Sequence, residues 1–489
     1  MEKPMLTRRD INLSIILSTI ISPSVSIASD IDTEINIFLS GSIGYFTHYW
    51  KECIGSDRAI VAFRSDWLQH LQFVKKNCGF KAVRFHGLLN DEMGLCRETC
   101  NGSDRLNYLY IDEIFDNIIQ IGMKPFVELS FMPLPLRSSD TDILWYRANT
   151  SPPKNMEEWF NLIKNLTEHL TSRYGFDEVS SWNFEVWNEP NINFWSGSQE
   201  QYFNLYKNSW NAIKKVNNFF RVGGPATAQM AWVSEFIDFC VAENCKPDFI
   251  SSHIYEADPQ DKVFNSNNLL PRDEVIPKAV SYIRDKINHS RLPQLPLFVT
   301  EWSSNNPAYI LTVIYKCIGK AKILSYWVFD STFEENGPVQ GFGSSYFGLL
   351  DQGGIPKPAF HAFHFLNKLS HNRINIDNEE ILATYTEKEI VCLAWNYSRF
   401  NKDKKLTLRF NRKYRYFKIT TYNSKQDKAQ ELWEKMQKPL SPTQEQYKEL
   451  RNISMQYDIQ KGRLIEGSIS FNMPPDSIYL IELSEYNIY

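Results

Sequence analysis

Between residues 41 and 370, short β-branched or aromatic runs alternate with longer stretches whose apolar residues recur every three or four positions. A hydrophobic period near two reads as strand and one near 3.6 as amphipathic helix, so the alternation predicts repeated βα units. Strand candidates are a segment near Ser42–Thr47, then Ala82–His86, Lys124–Ser130, Trp182–Trp187, Phe219–Gly223, Asp248–His253, Leu297–Glu301 and Ile323–Phe329. Helical patterns such as Trp67–Cys78, Ile111–Ile121, Met156–Arg173, Tyr202–Val216 and Ser234–Glu243 lie between them. Eight such units predict an α/β fold, a (β/α)8 TIM barrel, whose functional side chains gather at the C-terminal ends of the strands.

After Pro356-Lys357-Pro358 and a last helix to about Ser370, the pattern changes to alternating segments without helical crossovers. Ile381–Tyr385, Ile390–Trp395, Lys405–Phe410 and Ile478–Leu483 predict the antiparallel strands of a C-terminal β-sandwich, interrupted by a helical insert around Ala429–Gln437 and Pro442–Arg451. The basic residues Lys404, Lys405, Arg409, Arg412, Lys413 and Arg415 are interspersed with Leu, Phe and Tyr at strand-like intervals, which reads as a solvated sheet face. At the other end, Arg8 and Arg9 precede the uncharged run Ile11–Ile27, and Ser26-Ile27-Ala28 supplies small residues for cleavage. This outline predicts a twin-arginine-like export signal over 1–28, a barrel over 29–370, an accessory sandwich over 371–489, and a periplasmic or secreted bacterial protein. Pro23 interrupts a run already short for a membrane span, and no later stretch is long enough for one.

Composition narrows the function classes. With 489 residues, 43% hydrophobic and 22% charged, the chain is neither disordered nor a small disulfide scaffold. Fifty-three basic residues against 57 acidic ones give a net charge of −4, so no global field gathers nucleic acid. Among eight cysteines, Cys96 with Cys100 and Cys240 with Cys245 are close enough for local disulfides after export, and free buried thiols are an equal alternative. No paired spacing with histidines marks a zinc site, and no structural metal is expected.

The informative segment is Trp182-Asn183-Phe184-Glu185-Val186-Trp187-Asn188-Glu189-Pro190, an apolar strand that Pro190 ends, leaving Glu189 at the barrel mouth. A second strand, Leu297-Phe298-Val299-Thr300, finishes in Glu301. In an eight-strand count these are the fourth and seventh strands. Glycosidic hydrolysis needs one carboxylic acid to protonate the leaving oxygen and one carboxylate to attack the anomeric carbon or activate water, and two glutamates from separate strands meet that need. Asn188 could donate to a sugar 2-hydroxyl. Glu185, inside the strand with the facing parity of Glu189, is expected to form a structural ion pair with Arg84.

At these residues the sequence resembles glycoside hydrolase family 39, the retaining β-xylosidases and their α-L-iduronidase relatives. Further matching stretches are Phe80–Leu89, Lys124–Pro133, Arg221–Ala226, Phe333-Glu334-Glu335 and Gly354-Ile355-Pro356-Lys357-Pro358. The resemblance implies that Glu189 is the acid/base and Glu301 the nucleophile, with a covalent glycosyl-enzyme intermediate and no cofactor. It also implies a sugar pocket of His86, Phe131, Asn188, Phe194, His253, Tyr255, Trp327, Glu334 and Glu335. One departure is the stretch after Glu301, where Ser303-Ser304-Asn305-Asn306-Pro307 opens a shortened segment leading to Tyr326-Trp327, so a changed wall is expected beside the nucleophile. The expected partner is a glycoside or oligosaccharide; a homo-oligomer is left open. The leading expectation is an exo-acting β-D-xylosidase; the alternatives are an endo-acting hydrolase of an exopolysaccharide and a non-catalytic carbohydrate-binding protein.

Overall fold

A computed structural model of the protein describes residues 31–37 and 43–487, apart from 101, 267, 340, 344, 345, 400 and 412. The export-like segment 1–28 lies outside the described residues. Eight parallel strands, Ile54–Arg58, Ala82–His86, Lys124–Leu129, Asn183–Val186, Arg221–Thr227, Phe249–His253, Leu297–Trp302 and Ile323–Tyr326, close into a barrel. Glu189 follows the fourth and Glu301 lies in the seventh, as the strand count predicts.

The first strand differs from expectation. Ile43–Tyr45 pairs antiparallel with Asn372–Ile374 in the C-terminal sheet, and Ile54–Arg58 takes its place between Ala82–His86 and Ile323–Tyr326. Ile-Gly-Ser-Asp-Arg looks like a turn because only one of its residues is a large hydrophobe. It becomes a barrel strand because its polar groups are buried with partners: Ser56 Oγ accepts from Trp67 Nε1 at 3.0 Å, and Asp57 pairs with Arg58. Gly55 is dictated by packing, since a Cβ there would lie 2.4 Å from the Trp327 ring.

The helices start and stop where local chemistry directs. Asn155 accepts from Glu157 N and Glu158 N to open Met156–Tyr174, and Ser198 with Gln201 forms a reciprocal cap on Gln199–Val216. Trp67–Cys78 ends on Gly79, whose φ of 78° suits glycine. The abbreviated segment after Glu301 still holds a helix, Pro307–Lys316, capped by Asn306. No helix among the described residues is long and apolar enough to cross a membrane.

The C-terminal region is a seven-stranded sheet facing a three-stranded one. The chain's beginning contributes to both: Ile31–Ile37 runs parallel to Lys404–Phe410, and Ile43–Tyr45 edges the larger sheet. Barrel-forming chain therefore begins only after the first two strands have been given to the sandwich. Along Lys404–Phe410, buried Leu406, Leu408 and Phe410 alternate with outward residues, and Lys404, Arg409, Lys413 and Lys418 each pair with a glutamate, as a solvated face requires. Cys96 and Cys100 form a disulfide, whereas Cys240 and Cys245 are buried free thiols.

Strand Glu389–Asn396 is buried on both faces and couples the two domains. Ile390, Cys392 and Ala394 enter the sandwich core, while Val391, Leu393 and Trp395 enter the barrel core. Trp395 also donates from Nε1 to Thr312 Oγ1 at 2.9 Å. Trp395→Ala removes a large side chain from a joint that has no other aromatic filler on that strand, and the expected loss is about 3–5 kcal/mol of unfolding free energy. Urea denaturation measures it; a loss below about 1 kcal/mol would show that the domains do not depend on this contact.

Candidate active site

Two backbone devices aim the fourth-strand carboxylate. Trp187 and Glu189 both adopt left-handed conformations, with φ of 73° and 44°. Such a conformation costs a residue with a side chain about 1–2 kcal/mol. Packing and hydrogen bonds hold it in place: Glu189 N donates to Ala226 O at 2.8 Å, and Trp187 Nε1 donates to Phe194 O at 2.8 Å. The resulting kink turns Glu189 into the barrel mouth immediately after the strand ends.

Arg84, on the second strand and wholly buried, organises the floor beneath it. Its Nε donates to Glu185 Oε2 at 2.5 Å, its Nη1 to Glu301 Oε1 at 2.9 Å and its Nη2 to Asn188 Oδ1 at 3.0 Å, with Glu128 Oε2 2.8 Å from Nη2. Glu185 is thus the ion-pair partner expected for Arg84, and its other oxygen accepts from Thr300 Oγ1 at 2.9 Å. Because Arg84 takes the oxygen of the Asn188 amide, the amide NH2 is the group left to face a sugar hydroxyl.

The two histidines occupy opposite charge states. His86 Nδ1 lies 2.8 Å from Glu128 Oε2 and its Nε2 lies 3.7 Å from Glu301 Oε1. Burial opposes its charge, but the Glu128 and Glu301 carboxylates outweigh burial and hold the pKa up to about 9. At His253 burial wins, and the pKa falls to about 4, so this ring is neutral near neutrality. A register shift between Ser252 and His253 brings His253 opposite Glu301. Its Nδ1 is 3.1 Å from Glu189 Oε1 and 3.5 Å from Glu301 Oε1. A neutral ring with its proton on Nδ1 donates to a bare Glu189, and the tautomer with its proton on Nε2 accepts at Nδ1 from a protonated one.

Glu189, His253 and Glu301 bring one ligand-capable atom each within 4.8 Å of one another. That composition also occurs in cation sites. Here, however, Arg84 already donates to Glu301 Oε1, and Tyr255 Oη donates to Glu301 Oε2 at 2.9 Å. A metal ion would have to displace these donors and sit beside a buried guanidinium, so the donor set fits a positioned nucleophile better than a cation site.

The aromatic candidates line the same mouth. Trp327 and His86 have ring centroids 4.7 Å apart, Phe131 and Phe194 stack at 6.0 Å, and Phe333 continues the wall from Trp327 at 6.3 Å. The adjacent acids part ways. Glu334 is held by Arg58, whose Nη1 donates to Glu334 Oε2 at 2.8 Å, whereas Glu335 is half-buried and electrostatically coupled to His86, Glu301 and Glu189. Burial pushes Glu335 up to about 8, so it is a neutral hydrogen-bond donor at neutral pH. A cleft of about 980 Å³ lies beside this site, where Arg64, His70 and Asp330 face Tyr447 and Arg451 of the C-terminal insert, with Glu334 in its lining.

Glu128, Asp57 and Arg58 were not singled out from the sequence. Glu128 carried a signal, an acid inside an apolar strand that must find a buried partner. Asp57 and Arg58 carried none, because their strand was not recognised as one.

The family described as glycosyl hydrolases family 39 matches residues 33–465. The chain is 39% identical over 389 residues to a β-xylosidase of Caldicellulosiruptor saccharolyticus, covering 75% of this chain and 79% of that protein. It is 31% identical over 471 residues to a β-xylosidase of Geobacillus stearothermophilus, covering 90% and 93%. Among solved structures, a monomeric β-xylosidase from Caulobacter crescentus superposes with a TM-score of 0.82 at 29% identity, covering 92% of this chain and 99% of that one.

His86 supplies a pH test. Its folded pKa of about 9 exceeds the ordinary value of 6.5, so its charged form stabilises the fold fully below pH 6.5, and that contribution is lost as pH rises through about 9. The difference in unfolding free energy between wild type and His86→Gln should therefore shrink by roughly 3 kcal/mol between pH near 6 and pH near 9.5. Urea titrations across that range measure it, and a pH-independent difference would contradict the ion pair with Glu128.

Proposed function

Because this chain belongs to glycosyl hydrolases family 39 and is an O-glycoside hydrolase, we propose that it is a retaining, exo-acting β-D-xylosidase. The observation that carries the reading is the convergence of Glu189 and Glu301, with oxygens within 4.8 Å across one buried mouth. Double displacement uses carboxyl groups about 5–5.5 Å apart, whereas inversion needs roughly 6.5–9.5 Å to admit water between them. The similar β-xylosidases support the sugar.

In this reading Glu301 attacks the anomeric carbon. Arg84 and Tyr255 each hold one of its oxygens and fix the line of attack. Glu189 gives its proton to the leaving oxygen while His253 Nδ1 steadies its Oε1. The Asn188 amide NH2 meets the 2-hydroxyl, a contact that strengthens as oxocarbenium character develops. The leaving group departs, Glu189 now lacks its proton, and it takes one from the water that attacks the glycosyl–Glu301 ester, returning both groups to their starting state. The Arg8-Arg9 pair and the apolar run after it support export to the compartment where such glycans are met.

Glu301→Gln should lower turnover of an aryl β-xyloside by at least about a thousandfold. Glu189→Ala should still form the intermediate with an activated aryl leaving group, and added azide should restore turnover and release β-xylosyl azide. Proton NMR of the wild-type reaction should show β-xylose first. First-formed α-xylose would overturn retention, and β-xylosyl azide from the Glu301 variant would reverse the two roles, since azide that merely replaces a missing nucleophile gives the α-azide.

A further inference from the structure

Arg58 ends the first barrel strand, is only 6% exposed, and gathers three separate loops. Its Nε donates to Glu92 at 2.9 Å in the loop after the second strand, and its Nη1 donates to Asp57 at 3.2 Å and to Glu334 at 2.8 Å in the loop after the eighth. Its guanidinium also lies 4.5 Å from the ring centroid of Tyr146, in the hairpin Asp142–Asn149 after the third strand. The same hairpin is fastened directly to the eighth-strand loop: Trp145 N donates to Glu335 O at 2.8 Å, and the Trp145 indole packs over Gly337. Glu334 N in turn donates to Asp57 Oδ2 at 3.3 Å.

The eighth-strand loop stands across the ring from the acid/base. In an eight-strand ring the first strand faces the fifth and borders the second and eighth, while Glu189 follows the fourth. The leaving group must lie on the Glu189 side, so the sugar's far end points toward Arg58 and Glu335. Resting on the hydrolase reading above, we propose that Arg58 is a positioning residue that clasps the second-, third- and eighth-strand loops into an end wall, limiting the glycone side to one sugar unit. The wall places Glu335 against the terminal hydroxyls and leaves no room for a second glycone sugar, which makes the enzyme trim chain ends. One planar guanidinium suits this task because it meets several carboxylates at once and stacks on a ring, where an ammonium is a single point of charge.

The test is Arg58→Met with Arg58→Lys, assayed on p-nitrophenyl β-xyloside and p-nitrophenyl β-xylobioside, with folding checked by circular dichroism. Arg58→Met should raise KM for the xyloside by about tenfold or more and change kcat by less than about threefold, and Arg58→Lys should recover part of the loss. Wild type should release xylose from the xylobioside before any nitrophenol, whereas Arg58→Met should also release nitrophenol directly with intact xylobiose. Should Arg58→Met fail to fold, Glu92→Gln removes one arm at the partly exposed rim and should shift KM and product order in the same direction, by about threefold in KM. A folded variant with wild-type KM and product order, or a fall in kcat at constant KM, overturns the clasp. A wild type inactive on both xylosides overturns the xylosidase reading and the clasp with it, whereas an active wild type beside an indifferent variant overturns the clasp alone.

Discussion

A single buried guanidinium decides how this barrel can be built. Glu128 and Glu185 stand directly opposite each other on the third and fourth strands. Like charges in that relation repel, and in a dry interior neither could remain ionised alone. Arg84 reaches both from the second strand and extends to Glu301 on the seventh and Asn188 beyond the fourth. The side chains that meet it come from three other strands and the end of one of them, so their spacing is set by one rigid planar group and not by loops. Truncating one member of such a network leaves the others buried without their counter-charge, which costs about 3–5 kcal/mol.

That arrangement also separates the two histidines. His86 has Glu128 at its Nδ1 and carries a charge, whereas His253 faces Glu189 and Glu301 and stays neutral through burial. A second fixed cation at His253 would favour ionised forms of both glutamates and work against an acid. A neutral ring adds no fixed charge beside Glu189 and can still hydrogen-bond its Oε1 through Nδ1. The charged ring, meanwhile, adds positive charge near Glu301, its Nε2 3.7 Å from Oε1.

How far the sequence exposed this depends on the kind of constraint. Glu189 and Glu301 were legible because an apolar strand that ends in an acid is rare and positional, and the Arg84–Glu185 pair followed from parity along one strand. Seven barrel strands were legible for the same reason, their β-branched and aromatic runs. Ile54–Arg58 was not: apart from Ile54 its side chains are polar or absent, and they are buried through contacts with Trp67, Glu92, Glu334 and Trp327, all outside the strand. The assignment of Ile43–Tyr45 to the sandwich was hidden likewise, since three residues of strand carry no mark of which sheet they join. The left-handed turns at Trp187 and Glu189 had no signal either, because neither residue is one that favours them.

The cost of concentrating so many ionised groups at one end is met at the other. Below the Arg84 layer the barrel is filled by Phe126, Phe249 and Phe298 with Cys53, Ala82 and Ile323, and the rings of Phe249 and Phe298 stack 4.3 Å apart. Gly223 exists to admit this plug, for a Cβ there would lie 2.3 Å from the Phe249 ring. The same strands thus carry aromatic filler near their beginnings and charge near their ends. Apolar packing at the base does not depend on protonation, so the base can hold the strands in register while groups at the mouth change charge during turnover. Polar floor and apolar plug are two halves of one requirement: carboxylates at the mouth can be kept dry and strained only on a barrel whose closure is secured elsewhere.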